Sequence, residues 1–424
     1  MLGLLASLAA VLSCLVAGAQ AADSGWTVTS IGDSGFGAMA INDEGVVAGA
    51  VGLAPNYQAA VWSDGTTRLL STPENTIGSI ATGINNHGQM VGFAEVQTEE
   101  GTRQEAMLWD ANGEVTGLGF LPGGSFSAGQ DINDNGKVVG VTSISAQYRG
   151  FIWDGAGPIE ALPMPTGATS SFAVAINAHD QIVGSSSAPF QPGRAIIWEN
   201  GVATELDSLA EGAGASATDI NNSGQIVGTS SGPPPPPGSP PPPSHAVLWS
   251  DGQVTDLGSL GGPFTIAQSI NDDGLVVGLG MDAAFLFHAF VWKDSVLTLL
   301  PPLAGDREAA AFDINGGGQV VGWSRVPGPS TTAVMWASEK DAAEMVADLI
   351  AVVEGYQLRK LGTSLHDKLI TVQRLLVDDK TDKACDGLTS FINQVKAQQG
   401  KGLSVDQAIE LTARAQAIRE VLGC

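Results

Sequence analysis

The residues able to do chemistry in this chain are few, and their spacing follows one period. The five histidines are His87, His179, His245, His288 and His366. His87 and His179 occupy equivalent places in a recurring turn, and His245 and His288 equivalent places ahead of a recurring Trp. Their placement predicts turn and strand-edge roles. No His-x-x-x-His or Cys-x-x-Cys occurs. Leu121-Pro122-Gly123-Gly124 and Leu260-Gly261-Gly262 read as connections between repeats rather than phosphate loops, because no helix follows them. Asp43, Asp134 and Asp272 each follow the Asn of the recurring turn. With that Asn and backbone carbonyls they make a Ca²⁺-type donor set, but one carboxylate per turn is far below the charge density of an EF-hand loop; turn capping is the default. Asp131, Asp219 and Asp313 stand two residues ahead of that Asn, placed to line a channel, and no two of them form an acid/base couple. The sequence names no catalytic residue and no cofactor site.

What positions these groups is a repeat. The phrase Ile-Asn-x-x-x-x-x-x-Gly occurs seven times, with its Asn at Asn42, Asn85, Asn133, Asn177, Asn221, Asn271 and Asn315. The closing glycines are Gly49, Gly92, Gly140, Gly184, Gly228, Gly278 and Gly322. A Trp follows each time, at Trp62, Trp109, Trp153, Trp198, Trp249, Trp292 and Trp336. A period of 43 to 50 residues is the length of one propeller blade. In the sixth copy Thr265 to Ile270, Leu275 to Leu279, Ala289 to Trp292 and Val296 to Leu299 read as four strands, with Asn271-Asp272-Asp273-Gly274 as the first turn. One such sheet cannot bury both faces; stacking sheets around an axis does so and leaves only short edges. The repeated Trp is then inter-blade core.

Asn to Gly is always 7 residues, whereas Gly to Trp is 13 or 14 in five copies, 17 in the second and 21 in the fifth. Length variation therefore sits between the second and third strands. The second copy fills that place with Glu95 to Arg103, including Glu99 and Glu100. The fifth fills it with a proline-rich run from Pro233 to Pro243, which predicts an exposed polyproline II arm. The last copy stops after Trp336 without a fourth strand, and residues 26–31 form a strand with no blade of its own. The expected fold is an all-β seven-bladed β-propeller over 22–337, closed by 26–31, followed by a small all-α domain over 338–424. On these residues the chain resembles the bacterial extracellular HAF-repeat proteins, most fully at Ile270 to Leu279 with His288-Ala289-Phe290-Val291-Trp292. Asp180 replaces the turn Gly in the fourth copy, and Gln58 and Glu105 replace the His in the first two. The resemblance implies an exported propeller and carries no common chemistry.

Residues 1–21 read as a signal peptide, with an apolar run from Leu4 to Val16 and Ala19-Gln20-Ala21 as the cleavage site. No Lys or Arg precedes the run, and Val11-Leu12-Ser13-Cys14 is lipobox-like, although cleavage there cuts the run in half. The remaining cysteines, Cys385 and Cys424, are expected to pair in an exported chain. After Trp336 the apolar period lengthens to about 3.6 residues, predicting helices over 341–356, 367–377, 381–399 and 404–422. Ser404 and Gln407 have the form of a capping box. The stretch Ala384 to Val395, Leu403 and the closing Ile418 to Cys424 resemble the C-terminal helical domain called FIMAH, implying an exported accessory module.

Residues 1–339 hold 32 acidic against 8 basic groups, and 340–424 hold 12 against 11. The acidic repeat region repels nucleic acid and anionic membranes, and no span is expected in the mature chain. The leading expectation is a non-catalytic extracellular binding protein, secreted, periplasmic or on the cell surface. Its partner is a surface glycan, peptide or envelope component, met by a rim carrying Glu95, Glu99, Glu100 and Pro233 to Pro243. The alternatives are a propeller enzyme acting on extracellular polysaccharide and a structural matrix or envelope protein.

Overall fold

The computed structural model describes residues 25–424 apart from 34, 53–55, 146, 233–241, 329, 339–341, 357 and 379. The signal peptide expected at 1–21 and most of the proline-rich arm, Pro233 included, lie outside the described residues. The chain divides into two compact units, 1–337 and 338–424.

The first unit is built of four-stranded antiparallel sheets. In the first repeat the strands Phe36–Ile41, Val47–Val51, Gln58–Ser63 and Thr66–Leu69 pair in chain order. The other repeats follow the same order, and those of the fifth and sixth join through one parallel contact, Ser244 to Phe264. The last sheet is ordered differently. Glu308–Ile314, Val320–Arg325 and Thr332–Ser338 come from the seventh repeat, and the fourth strand is Trp26–Ser30 from the chain's beginning. Ile31 N donates to Ala333 O at 2.9 Å, and Thr27 Oγ1 to Ala337 O at 3.2 Å.

Each sheet is apolar on both faces, so each must be covered twice. Seven buried clusters do this, one between each pair of consecutive repeats and one between the seventh and the first. In the cluster between the first two repeats, Ala48, Val61 and Leu70 meet Ala81, Met90, Met107 and Trp109. Between the seventh and first, Val321 and Ala333 meet Phe36, Val47 and Ala60.

The recurring glycine has a steric cause. Each first strand carries a bulge just before the Ile-Asn pair, as between Ala173 and Ala175. There the neighbouring carbonyl comes so close that a Cβ on Gly49, Gly92 or Gly184 would lie 1.9 Å from the oxygen of Gly37, Ile80 or Phe172. Gly140, Gly228, Gly278 and Gly322 face the same contact at 1.9 to 2.2 Å. Only glycine fits.

Two expectations are corrected here. The acidic insertion of the second repeat is no loop. Strands Met90–Thr98 and Gly101–Trp109 stay paired to the tip, with Glu95 opposite Gln104 and Thr98 opposite Gly101. Alternating Val96, Thr98 and Thr102 suit a ladder, so the extra residues lengthen a hairpin and leave Glu99-Glu100 as its turn. The repeated Trp is fully buried at Trp109, Trp198, Trp249 and Trp336 but half-buried at Trp62, Trp153 and Trp292.

The second unit holds helices α1 (Ala342–Gly355), α2 (Arg359–Val377), α3 (Thr381–Gln398) and α4 (Val405–Val421) around one core that includes Leu349, Leu369, Phe391 and Leu411. Helix α2 begins eight residues before the expected 367, because Leu361 and Leu365 already face that core and override Gly362. Ser404 and Gln407 exchange the two capping-box hydrogen bonds, and Cys385 is bonded to Cys424. No helix among the described residues is long and apolar enough to cross a membrane.

Candidate functional site

The Asn of each repeat turn is spent twice. Its Oδ1 accepts the backbone N–H four residues on, as in Asn133 from Lys137 at 3.0 Å, which closes the turn. Its Nδ2 donates to the backbone carbonyl of the Asn in the next repeat. The series runs Asn42 to Asn85, Asn133, Asn177, Asn221, Asn271 and Asn315, then back to Asn42, with every distance between 2.9 and 3.2 Å. All seven Asn are buried. The sequence marked these residues as turn formers and did not expose the link between repeats. Their turns surround a cavity of about 220 Å³ to which every repeat contributes.

The residues after the Asn line this mouth. Asp43 Oδ1 accepts from Gly316 N, Asp134 Oδ1 from Asn86 N and Asp272 Oδ1 from Asn222 N, at 2.7 to 2.8 Å. Asn86 Nδ2 also donates to Asp43 and Asp134, and Asn222 Nδ2 to Asp272. These carboxylates are therefore engaged in holding successive turns together. Among the described residues no three His, Cys, Asp or Glu side chains are grouped to hold a metal ion.

One step deeper, the position two before each Asn is Ala40, Gly83, Asp131, Ala175, Asp219, Ser269 and Asp313. Each Asp reaches the next repeat but one backbone group at a time: Asp131 Oδ2 accepts Ile176 N, Asp219 Oδ2 accepts Ile270 N and Asp313 Oδ2 accepts Ile41 N, at 2.8 to 2.9 Å. All three are only half-buried, yet protein surrounds them. Burial pushes Asp313 up to about 7, and the charge of Asp219 adds to this. Burial likewise pushes Asp131 up to about 6 and raises Asp219. Sequence reasoning singled out these three aspartates as a set but missed Ser269, whose Oγ lies 2.8 Å from Asp219 Oδ2 and 2.7 Å from Asp313 Oδ1. Its shared repeat position was the available signal.

The opposite rim carries the second-to-third connections. Tyr57 OH donates to Glu95 Oε1 at 3.1 Å, and Glu99 and Glu100 stand exposed at the hairpin tip. Pro243 lies at the foot of the arm, where its carbonyl accepts Gly232 N. Among the described residues, Glu95, Glu99, Glu100 and Pro243 thus share one side of the sheets. Two phenylalanines not foreseen stand at other tips of this rim. Phe190 is 108 % and Phe285 67 % exposed, with φ of 62° and 63°. A bulky side chain in left-handed backbone is a genuine outlier. Nearby, Phe264, Phe287 and Trp323 form a chain of ring contacts at 6.0 and 5.9 Å. The Arg325 guanidinium lies 4.7 Å from the Trp323 centroid, held by Glu308 at 2.9 Å. Phe126, Tyr148 and Phe172 make a second aromatic run, with Tyr148 exposed.

In the second unit an open groove of about 670 Å³ lies between α2 and α3. Its polar groups meet one another, as Lys368 Nζ donates to Ser390 Oγ at 2.7 Å.

No family model matches the chain, and no curated protein matches it. Solved structures do resemble it distantly. An acylaminoacyl peptidase of Pyrococcus horikoshii is 13 % identical over 73 % of this chain, with a TM-score of 0.49. The match covers 53 % of the peptidase, so this chain spans about half its length. An ulvan lyase is 11 % identical over 73 % of this chain and 96 % of its own, with a TM-score of 0.44. YCF48 bound to D1 peptide is 9 % identical over 75 % and 97 %, with a TM-score of 0.43. Likenesses this distant carry no argument about activity or ligand.

Proposed function

We propose that residues 22–337 form a closed seven-bladed β-propeller of the HAF-repeat kind, exported from a bacterial cell and followed in sequence by a FIMAH-like domain. It acts as a non-catalytic binding module for a surface glycan, peptide or envelope component. Support for closure comes from the Asn circuit, which returns from Asn315 to Asn42, and from the Trp26–Ser30 strand beside the seventh repeat. The observation that carries the binding reading is the rim of second-to-third connections. Phe190 and Phe285 hold strained backbone while exposed to water, an arrangement that folding alone does not favour. Arginine and aromatic side chains, the groups enriched in recognition surfaces, gather on the same rim at Arg325, Trp323 and Tyr148. The opposite mouth has its polar groups spent on holding turns together.

A glycan and peptide array probed with the full chain tests this reading. Phe190→Ser with Phe285→Ser is expected to lower binding at least tenfold while the melting temperature stays within about 2 °C of the parent. Shortening 95–103 by four residues, or 232–243 by seven, maps the contact along the rim. Unchanged binding in all three variants, with loss on altering Asp43, Asp134 and Asp272, moves the site to the other mouth. The second reading, a propeller enzyme acting on extracellular polysaccharide, draws on the raised carboxyl groups of Asp131, Asp219 and Asp313; polysaccharide cleavage abolished by Asp131→Asn or Asp313→Asn is the outcome that supports it.

A further inference from the structure

The Ser269 hydroxyl presents a problem of proton count. It has one hydrogen, and ionised carboxylates only accept. Yet Ser269 Oγ stands at hydrogen-bond distance from both Asp219 Oδ2 and Asp313 Oδ1. If both carboxylates are ionised, one of these contacts sets two oxygen lone pairs against each other. With one proton added, the chain is complete: a carboxyl O–H donates to Ser269 Oγ, and the Ser269 O–H donates to the other carboxylate. We propose that Asp219, Ser269 and Asp313 form a proton-held clasp across repeats five, six and seven, and that its ionisation loosens the contacts among those three repeats.

The surroundings agree with this. The same Asp313 carboxyl accepts Ile41 N from the first repeat, a bond that favours its ionised form, but burial and the charge of Asp219 favour the protonated form more strongly. The charges acting on the pair are themselves acidic: Asp272 acts on Asp219, and Asp219 acts on Asp313. The equivalent positions in the remaining repeats, Ala40, Gly83 and Ala175, bring no countercharge. Loss of the proton to solvent takes the pair from one negative charge to two. The raised value of Asp313 fits a proton retained towards neutral pH. Because the folded value lies above the unfolded one, this stability is complete below the unfolded carboxylate range. It is lost as pH rises through the folded value near 7. The two groups titrate as a pair, and the retained proton belongs to both.

Asp313→Asn tests the clasp, since its amide donates to Ser269 and its carbonyl still accepts Ile41 N without titrating, at the loss of the Ile314 N bond that Asp313 Oδ1 accepts. The parent is expected to lose roughly 3–6 °C of melting temperature between about pH 5 and about pH 8 relative to that variant. Asp131→Asn is the control, because Asp131 is raised but lies outside the bridge. Carbon-13 titration of the aspartate carboxyls in the unmodified full chain gives the second measurement, which does not depend on any variant folding. One carboxyl of the pair should still be protonated at about pH 6. Two carboxyls fully ionised at that pH, or a parent and Asp313→Asn variant with parallel melting curves across the range, overturn the proposal. Neither readout involves ligand, so rim binding stands or falls separately.

Discussion

At the scale of single residues, the repeat is held by groups chosen for what they lack or for how many bonds they make. The closing glycines lack a Cβ because a carbonyl occupies its place. Gly184→Ala sets a methyl 1.9 Å from Phe172 O, against backbone atoms that cannot rotate away. It is expected to cost about 3 kcal/mol in urea denaturation. Gly201→Ala is the comparison, since Gly201 has φ of 75° and open space around its Cβ position. There only the left-handed backbone is penalised, by about 1 kcal/mol. Equal losses at the two sites would remove the steric explanation. The departures from the motif are also compensated locally. Asp180 stands where other turns have glycine, adopts φ of 61°, and binds Lys137 Nζ at 2.8 Å from the neighbouring repeat.

At the scale of elements, the seven Trp positions divide by the connection that precedes them. Trp109, Trp198, Trp249 and Trp336 each donate Nε1 to a carbonyl, at Ser71, Pro163, Asp207 and Pro301, at 2.6 to 2.7 Å. Those carbonyls follow Leu70, Leu162, Leu206 and Leu300. Trp62, Trp153 and Trp292 follow connections built as Ile31-Gly32, Leu118-Gly119 and Leu257-Gly258, where the glycine has positive φ and turns the chain elsewhere. The exposure of a Trp is therefore readable from the residue after a Leu or Ile 31 to 43 positions earlier, once the repeats are taken as neighbours. Trp109→Phe should cost about 2–3 kcal/mol, because it leaves a cavity and strands the Ser71 carbonyl. Trp62→Phe should cost under about 1 kcal/mol. Denaturation of the two variants side by side decides between this division and a uniform Trp core. Hairpin length was less legible: Glu95 to Arg103 looked like an insertion because charge hides the alternation of Val96, Thr98 and Thr102, and only strand pairing reveals the ladder.

At the scale of the molecule, the first and last segments of the repeat region meet in one sheet. Removing 26–30 takes Trp26 and Val28 from the cluster containing Leu300, Val334 and Trp336 and leaves Thr332–Ser338 as a bare edge. Differential scanning calorimetry should register a fall of roughly 10 °C with aggregation, while an equal deletion inside 232–243 leaves the transition in place. Matching transitions in both deletions would show that the N-terminal strand is dispensable. The repeat count, the strand periodicity, the spare strand at 26–31 and the four helices were all present in the sequence, because each arises from local spacing: Asn to Gly, Gly to Trp, or an apolar face every 3.6 residues. Tertiary structure alone decided the rest. The Asn circuit, the Ser269 bridge between Asp219 and Asp313, and the gathering of Phe190, Phe285 and Arg325 on one rim join residues 43 to 273 positions apart or set them side by side across repeats. Such contacts depend on which backbone groups a neighbouring sheet presents, and that information exists only after the sheets have stacked.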